Sequence, residues 1–165
     1  MRTRGTARVP VFVRLLLVAS LSHAAAAGAT FANWMMTESV PGGDVCSVPN
    51  PTATFWSTDT DAVLWSLVDS ANAGDQPVAK WYAPDGTLRT VIQLDPPASA
   101  GGWCYAAWMP IAGSAAASLP GAWTVRLYWN GGLAFSQPFT IAAVSMSQRV
   151  CRSLPSACGP RQPAH

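Results

Sequence analysis

Turn-forming clusters recur along this chain at intervals too short for ordinary helices. Pro41-Gly42-Gly43-Asp44, Asn50-Pro51, Asn72-Ala73-Gly74-Asp75, Pro84-Asp85-Gly86, Asp95-Pro96-Pro97, Gly101-Gly102, Leu119-Pro120-Gly121 and Asn130-Gly131-Gly132 punctuate the region from Thr30 to Val144. Gly supplies positive φ, Pro fixes φ, and Asn and Asp hydrogen-bond their own backbone, so each cluster is a turn with a mechanism. The runs between them are short and rich in Trp, Tyr, Val, Ile and Thr, and no stretch of twelve residues carries a helical stripe free of Gly or Pro. Strands spaced in this way fold as a β-sandwich or a barrel.

The best-defined unit runs from Trp123 to Ile141. Its first arm alternates strictly: Trp123, Val125, Leu127 and Trp129 face one way, and Thr124, Arg126 and Tyr128 the other. Asn130-Gly131 follows, a pair favoured in type I′ turns because both central residues need positive φ. In the second arm Leu133, Phe135, Phe139 and Ile141 share a parity, and Pro138, lacking an N–H, marks a bulge or a solvent-facing ladder position. Upstream, Ala62-Val-Leu-Trp-Ser-Leu-Val68 reads as a core strand. Val78 to Tyr82 and Thr87 to Leu94 form a second hairpin around Pro84-Asp85-Gly86. Trp103 to Met109 is a further strand, and Asn33 to Val40 a first one. Ala112 to Ser118 is a small-residue loop with room for one helical turn. The total is about seven antiparallel strands in roughly 115 residues, the size of an immunoglobulin-like sandwich.

The ends read differently. Arg2, Arg4, Arg8 and Arg14 precede the apolar run Leu15 to Ala19, and His23-Ala24-Ala25-Ala26-Ala27-Gly28-Ala29 follows. A basic region, a short apolar region and a small-residue exit make a secretory signal peptide over residues 1–28, with cleavage between Ala25 and Ala29. The apolar run is broken by Arg14 and too short to span a bilayer, and no later segment is a membrane span. The expected product is secreted or periplasmic. It keeps six basic residues against eight acidic ones, a net charge of −2, so the precursor's +2 is a targeting feature and not a sign of a nucleic-acid partner. Residues 145–165 have no periodicity and read as a flexible tail after a domain spanning 29–144.

Four cysteines, Cys46, Cys104, Cys151 and Cys158, read as two disulfides in an exported chain. Three pairings are possible. Cys46–Cys104 with Cys151–Cys158 is favoured because the second pair is local and lies in the tail. A zinc site is disfavoured: there is no C-x-x-C, and the two histidines, His23 and His165, lie in the signal segment and at the last position. No metal or cofactor is expected.

Chemistry has little to work with. Triads need a base, most often His, and the expected domain has none. The acids Glu38, Asp44, Asp59, Asp61, Asp69, Asp75, Asp85 and Asp95 fall mostly in turns, where Asp serves its own backbone. Asp59-Thr60-Asp61 offers at most two of the six to eight oxygens that calcium takes. No catalytic residues are expected. Among the eight tryptophans, Trp65, Trp81, Trp123 and Trp129 suit a core. Trp56, Trp103, Tyr105 and Trp108 are the candidate ligand-binding residues, since aromatic faces stack on sugar rings and anchor interfaces.

The order of the pieces carries a resemblance. Phe55-Trp-Ser-Thr-Asp59, Trp81-Tyr-Ala-Pro-Asp-Gly86 and a final hairpin of the form G-x-W-x-V-x-x-Y-x-N-G…F-x-I, here Gly121 to Ile141, resemble a loosely defined group of immunoglobulin-like β-sandwich domains in exported bacterial proteins. The similarity covers Phe55 to Ala142. It implies the fold and export, and brings no catalytic residues. Unlike antibody domains, neither Ala62–Val68 nor Trp123–Trp129 contains the cysteine of an inter-sheet disulfide. The expectation is an exported, non-catalytic binding or adhesion module for an unknown protein or a polysaccharide. The alternatives are a carbohydrate-binding module using exposed Trp and Tyr, and an accessory domain of a hydrolase.

Overall fold

The computed structural model describes residues 29–144. Segments 1–28 and 145–165, and with them the expected Cys151–Cys158 pair, lie outside the described residues. Eight strands form two sheets. They are β1 (Thr30–Thr37), β2 (Thr54–Trp56), β3 (Asp61–Ala71), β4 (Pro77–Tyr82), β5 (Leu88–Gln93), β6 (Gly101–Pro110), β7 (Gly121–Trp129) and β8 (Gly132–Ala142). One sheet has the order β1-β3-β6 and the other β2-β8-β7-β4-β5. The short 3₁₀ turn at Ala115–Ser118, capped by the Ser114 hydroxyl, is the helical turn expected in the small-residue loop.

The strand order is that of an immunoglobulin-like sandwich. Leaving β2 aside, the first, second and fifth strands share one sheet, and the third, sixth and seventh share the other with an extra strand beside the third. The eighth strand, β2, is the one the sequence pattern does not announce. It is three residues long, too short for a period, and it pairs in parallel with the end of β8 through Phe55↔Ile141. Pro138 lies just before that paired stretch.

The final hairpin forms as its sequence implies. Asn130 has φ 51° and Gly131 φ 83°, the two left-handed positions of a type I′ turn. Trp123, Val125, Leu127 and Trp129 are all buried. Leu133 differs from its expected parity: a register shift between Leu127 and Tyr128 pairs Leu127 with Phe135 and Tyr128 with Leu133. The bulge absorbs one residue, and Leu133 ends 55% exposed.

The main core lies between the sheets. Phe139 is met edge-on by Phe55 and Trp81 and lies tilted against Trp123, the arrangement that ring quadrupoles favour. A second cluster joins Val68, Ala71, Tyr105 and Trp129.

The outer face of the three-stranded sheet is also covered. The segment between β1 and β2 crosses it, tied down by the Cys46–Cys104 disulfide. Trp65 lies beneath this strap, fully buried, and its indole Nε1 donates to the Val45 carbonyl at 2.6 Å. Trp65 is thus buried as its pattern requires, but on the strap side of β3 and not between the sheets. Both faces of β3 are shielded, which explains an unbroken apolar run where a half-exposed strand would alternate. The five-stranded sheet has no such cover among the described residues.

Candidate binding face

The tryptophans and tyrosine singled out in the sequence are not brought to one surface. On β6, Trp103 and Tyr105 pair with Val68 and Ser66 of β3 and point inward with them. Tyr105 is buried, edge-on to Trp129 at 5.8 Å. Trp103 is half-buried, and its Nε1 donates to the Ser99 carbonyl at 2.9 Å. Trp56 is half-buried at the end of β2. Trp108 has the opposite parity and is 47% exposed. It borders an open groove of about 420 Å³ beside the strap, lined also by Glu38, Val40, Val45, Thr60 and Asp61. The four candidates Trp56, Trp103, Tyr105 and Trp108 therefore do not form one site: Trp103 and Tyr105 face inward, and Trp108 faces the strap side. The reason is the two-residue period, which puts 103 and 105 on one face and 108 on the other.

Four of the eight acids are taken up by turns. Asp59 accepts from the Trp56 N–H at 2.7 Å, Asp44 from the Cys46 N–H at 2.9 Å and Asp85 from the Thr87 N–H at 2.9 Å. Asp75 accepts from the Asn72 N–H at 2.9 Å and from the Asn130 amide at 2.8 Å. The Asn130 amide and the Asn72 N–H hold the Asp75 carboxyl below its ordinary value, and Thr87 does the same for Asp85. Among the described residues, no three His, Cys, Asp or Glu side chains come together as a metal cluster.

A different group of side chains does assemble, on the outer face of the five-stranded sheet. The burial of Ala79 and Trp81 on β4 and of Val125 and Leu127 on β7 turns the alternate residues outward. These are Lys80 and Tyr82 on β4, and Arg126 and Tyr128 on β7. Lys80 and Arg126 are directly opposite in register. Each leans diagonally onto the other strand's tyrosine: Lys80 Nζ is 4.3 Å from the centre of the Tyr128 ring, and the Arg126 guanidinium carbon is 4.6 Å from that of Tyr82. These are cation–π distances. The phenols are linked as well. A hydrogen bond with Tyr128 raises Tyr82, and the same bond lowers Tyr128, so Tyr82 keeps its proton as donor. Leu88 and Val91 of β5, 44% and 54% exposed, extend the face.

The alternation of Thr124, Arg126 and Tyr128 against the buried tryptophans was readable in the sequence. That β4 lies against β7, bringing Lys80 and Tyr82 beside them, was not.

No family model matches the chain, and no curated protein matches it. Solved structures are similar to it, among them the following two. One is the alkylpurine DNA glycosylase AlkC of Pseudomonas fluorescens, bound to DNA containing an abasic site analogue. It is 15% identical with a TM-score of 0.48, and the match covers 70% of this chain and 31% of that one. This chain thus spans less than a third of the glycosylase. The other is an immunoglobulin-like protein of Pseudomonas aeruginosa, 9% identical with a TM-score of 0.46, where the match covers 72% of this chain and 99% of that one.

Proposed function

We propose that this domain is a non-catalytic binding module of an exported protein, and that it holds a polysaccharide on the outer face of the five-stranded sheet. The observation that supports this reading is the outward pair Tyr82 and Tyr128 on a sheet surface that no described segment covers. The other sheet's outer face is crossed by the strap. Phenol rings offer apolar faces to the C–H surface of a sugar and hydroxyls to its oxygens. Four of the eight carboxylates, Asp44, Asp59, Asp75 and Asp85, are engaged in holding loops. Trp108, half exposed beside the strap on the other sheet, lies on the opposite side of the sandwich and is no part of this face.

Affinity electrophoresis through gels containing neutral and acidic polysaccharides tests the reading. Retardation by at least one polymer is expected, with loss in the Tyr82→Ala/Tyr128→Ala double variant. Unchanged mobility in every gel, or retardation that survives that variant, would overturn it.

A further inference from the structure

We propose that the polymer held on this face is acidic: Lys80 and Arg126 take the carboxylate or sulfate group of a sugar unit whose ring lies against Tyr82 and Tyr128. This rests on the polysaccharide-binding reading and adds the ligand's charge.

The distribution of charge carries the argument. Residues 29–144 contain eight acids and three bases, Lys80, Arg89 and Arg126. All three bases lie on β4, β5 and β7. The five strands of this sheet contain no Asp or Glu at all. A domain with an excess of five negative charges thus collects its positive charge on one sheet.

Within that sheet, Lys80 and Arg126 are direct cross-strand neighbours, an arrangement in which like charges destabilise. Among the described residues the one ion pair is Arg89–Asp85 at 3.5 Å, so no carboxylate relieves the repulsion. The tyrosine rings attract both cations but accept few of their N–H bonds, and this leaves donors for an anion. A ligand carboxylate between the two cations turns an unfavourable pair into a charge-assisted site, with the planar Arg fork suited to bidentate contact. The rings on which the cations lean fix their positions in advance, which lowers the ordering cost of binding.

Nucleic acid is the less favoured anion. Its affinity comes from neutralising several phosphates at once along the backbone, and here only two adjacent cations are set to meet an anion.

Isothermal titration of the full-length protein, prepared under oxidising conditions, against polygalacturonate, dextran sulfate, neutral dextran and a DNA oligonucleotide decides the matter. Binding to polygalacturonate or dextran sulfate is expected, weakening as salt rises. Lys80→Gln/Arg126→Gln should weaken it roughly tenfold or more. This variant removes a repulsive pair together with two cation–π contacts, so its melting temperature should stay close to that of the unaltered protein, and lost binding will not be lost folding. Three results would each overturn the proposal: no binding to either acidic polymer, acidic binding indifferent to K80Q/R126Q, or DNA bound more tightly than both with the same sensitivity. Dextran binding lost in Tyr82→Ala/Tyr128→Ala but kept in K80Q/R126Q would remove the acidic ligand and leave the module reading standing.

Discussion

The Asp75 carboxylate accepts a hydrogen bond of 2.8 Å from the Asn130 side chain, 55 residues away in sequence. Asn130 also receives the Gln76 N–H on its own side-chain oxygen at 2.8 Å, and its backbone N–H donates to the Gln76 carbonyl at 3.0 Å. The residue that shapes the β7–β8 turn therefore also clamps the β3–β4 loop. It holds together the start of β4 and the end of β7, the two strands that carry the binding face.

Breaking that clamp should cost stability in a pH-dependent way. Asp75 is buried and its carboxyl is held low by Asn130 and Asn72. A depressed folded-state value contributes stability above the unfolded value of about 4, lost as pH falls through the folded one. Asp75→Ala should lower unfolding free energy at neutral pH by roughly 1–3 kcal/mol, with the gap closing in acid. Denaturant melts at pH 7 and pH 3 check this. A gap that stays constant with pH would show that the carboxylate's charge is not involved.

The three tyrosines should titrate apart. Tyr128 is lowered by its bond with Tyr82, Tyr82 is raised by the same bond, and Tyr105 is raised by burial. Absorbance titration at alkaline pH should show one phenol ionising below the ordinary value of about 10 and two above it. Tyr82→Phe should move Tyr128 back upward. A single unresolved transition unaffected by Tyr82→Phe would mean that the phenols are not linked.

Reduction should loosen the strap. The Cys46–Cys104 bridge spans 58 residues, a loop whose closure is worth about 4 kcal/mol in the chain-entropy model. Cys46→Ser/Cys104→Ser should lower stability by an amount of that order and expose Trp65, whose indole rests on Val45. A red-shifted tryptophan emission is the readout. Emission that stays put in the reduced protein would show that other contacts hold the strap.

The aromatic residues should respond according to the face they occupy. Trp108→Ala should change stability by less than about 1 kcal/mol because the side chain is half exposed. Trp81→Ala, fully buried in the main core, should cost roughly 3–5 kcal/mol. The Tyr105 hydroxyl is buried with no hydrogen-bond partner, so Tyr105→Phe should leave stability unchanged or raise it. A loss above about 1 kcal/mol on Tyr105→Phe would mean the hydroxyl is bonded in solution.

Sequence alone determined most of the scaffold. The Asn130-Gly131 turn, the buried face of β7 and the burial of Trp65, Trp81, Trp123 and Trp129 follow from local rules. Positive φ needs Asn or Gly, and alternate side chains share a face. The Cys46–Cys104 pair was one of three open pairings, and the structure contains it. Tertiary structure decided what local rules cannot reach. The three residues of β2 are too few to show a period, and one bulge turned Leu133 outward. The strap buried a strand face that pattern alone assigns to either side. The binding face is the clearest case. Lys80, Tyr82, Arg126 and Tyr128 come from strands more than forty residues apart, and each is an ordinary outward residue on its own strand. Their grouping exists because β4 pairs with β7 in one register, and strand partnership is set by how the whole chain packs.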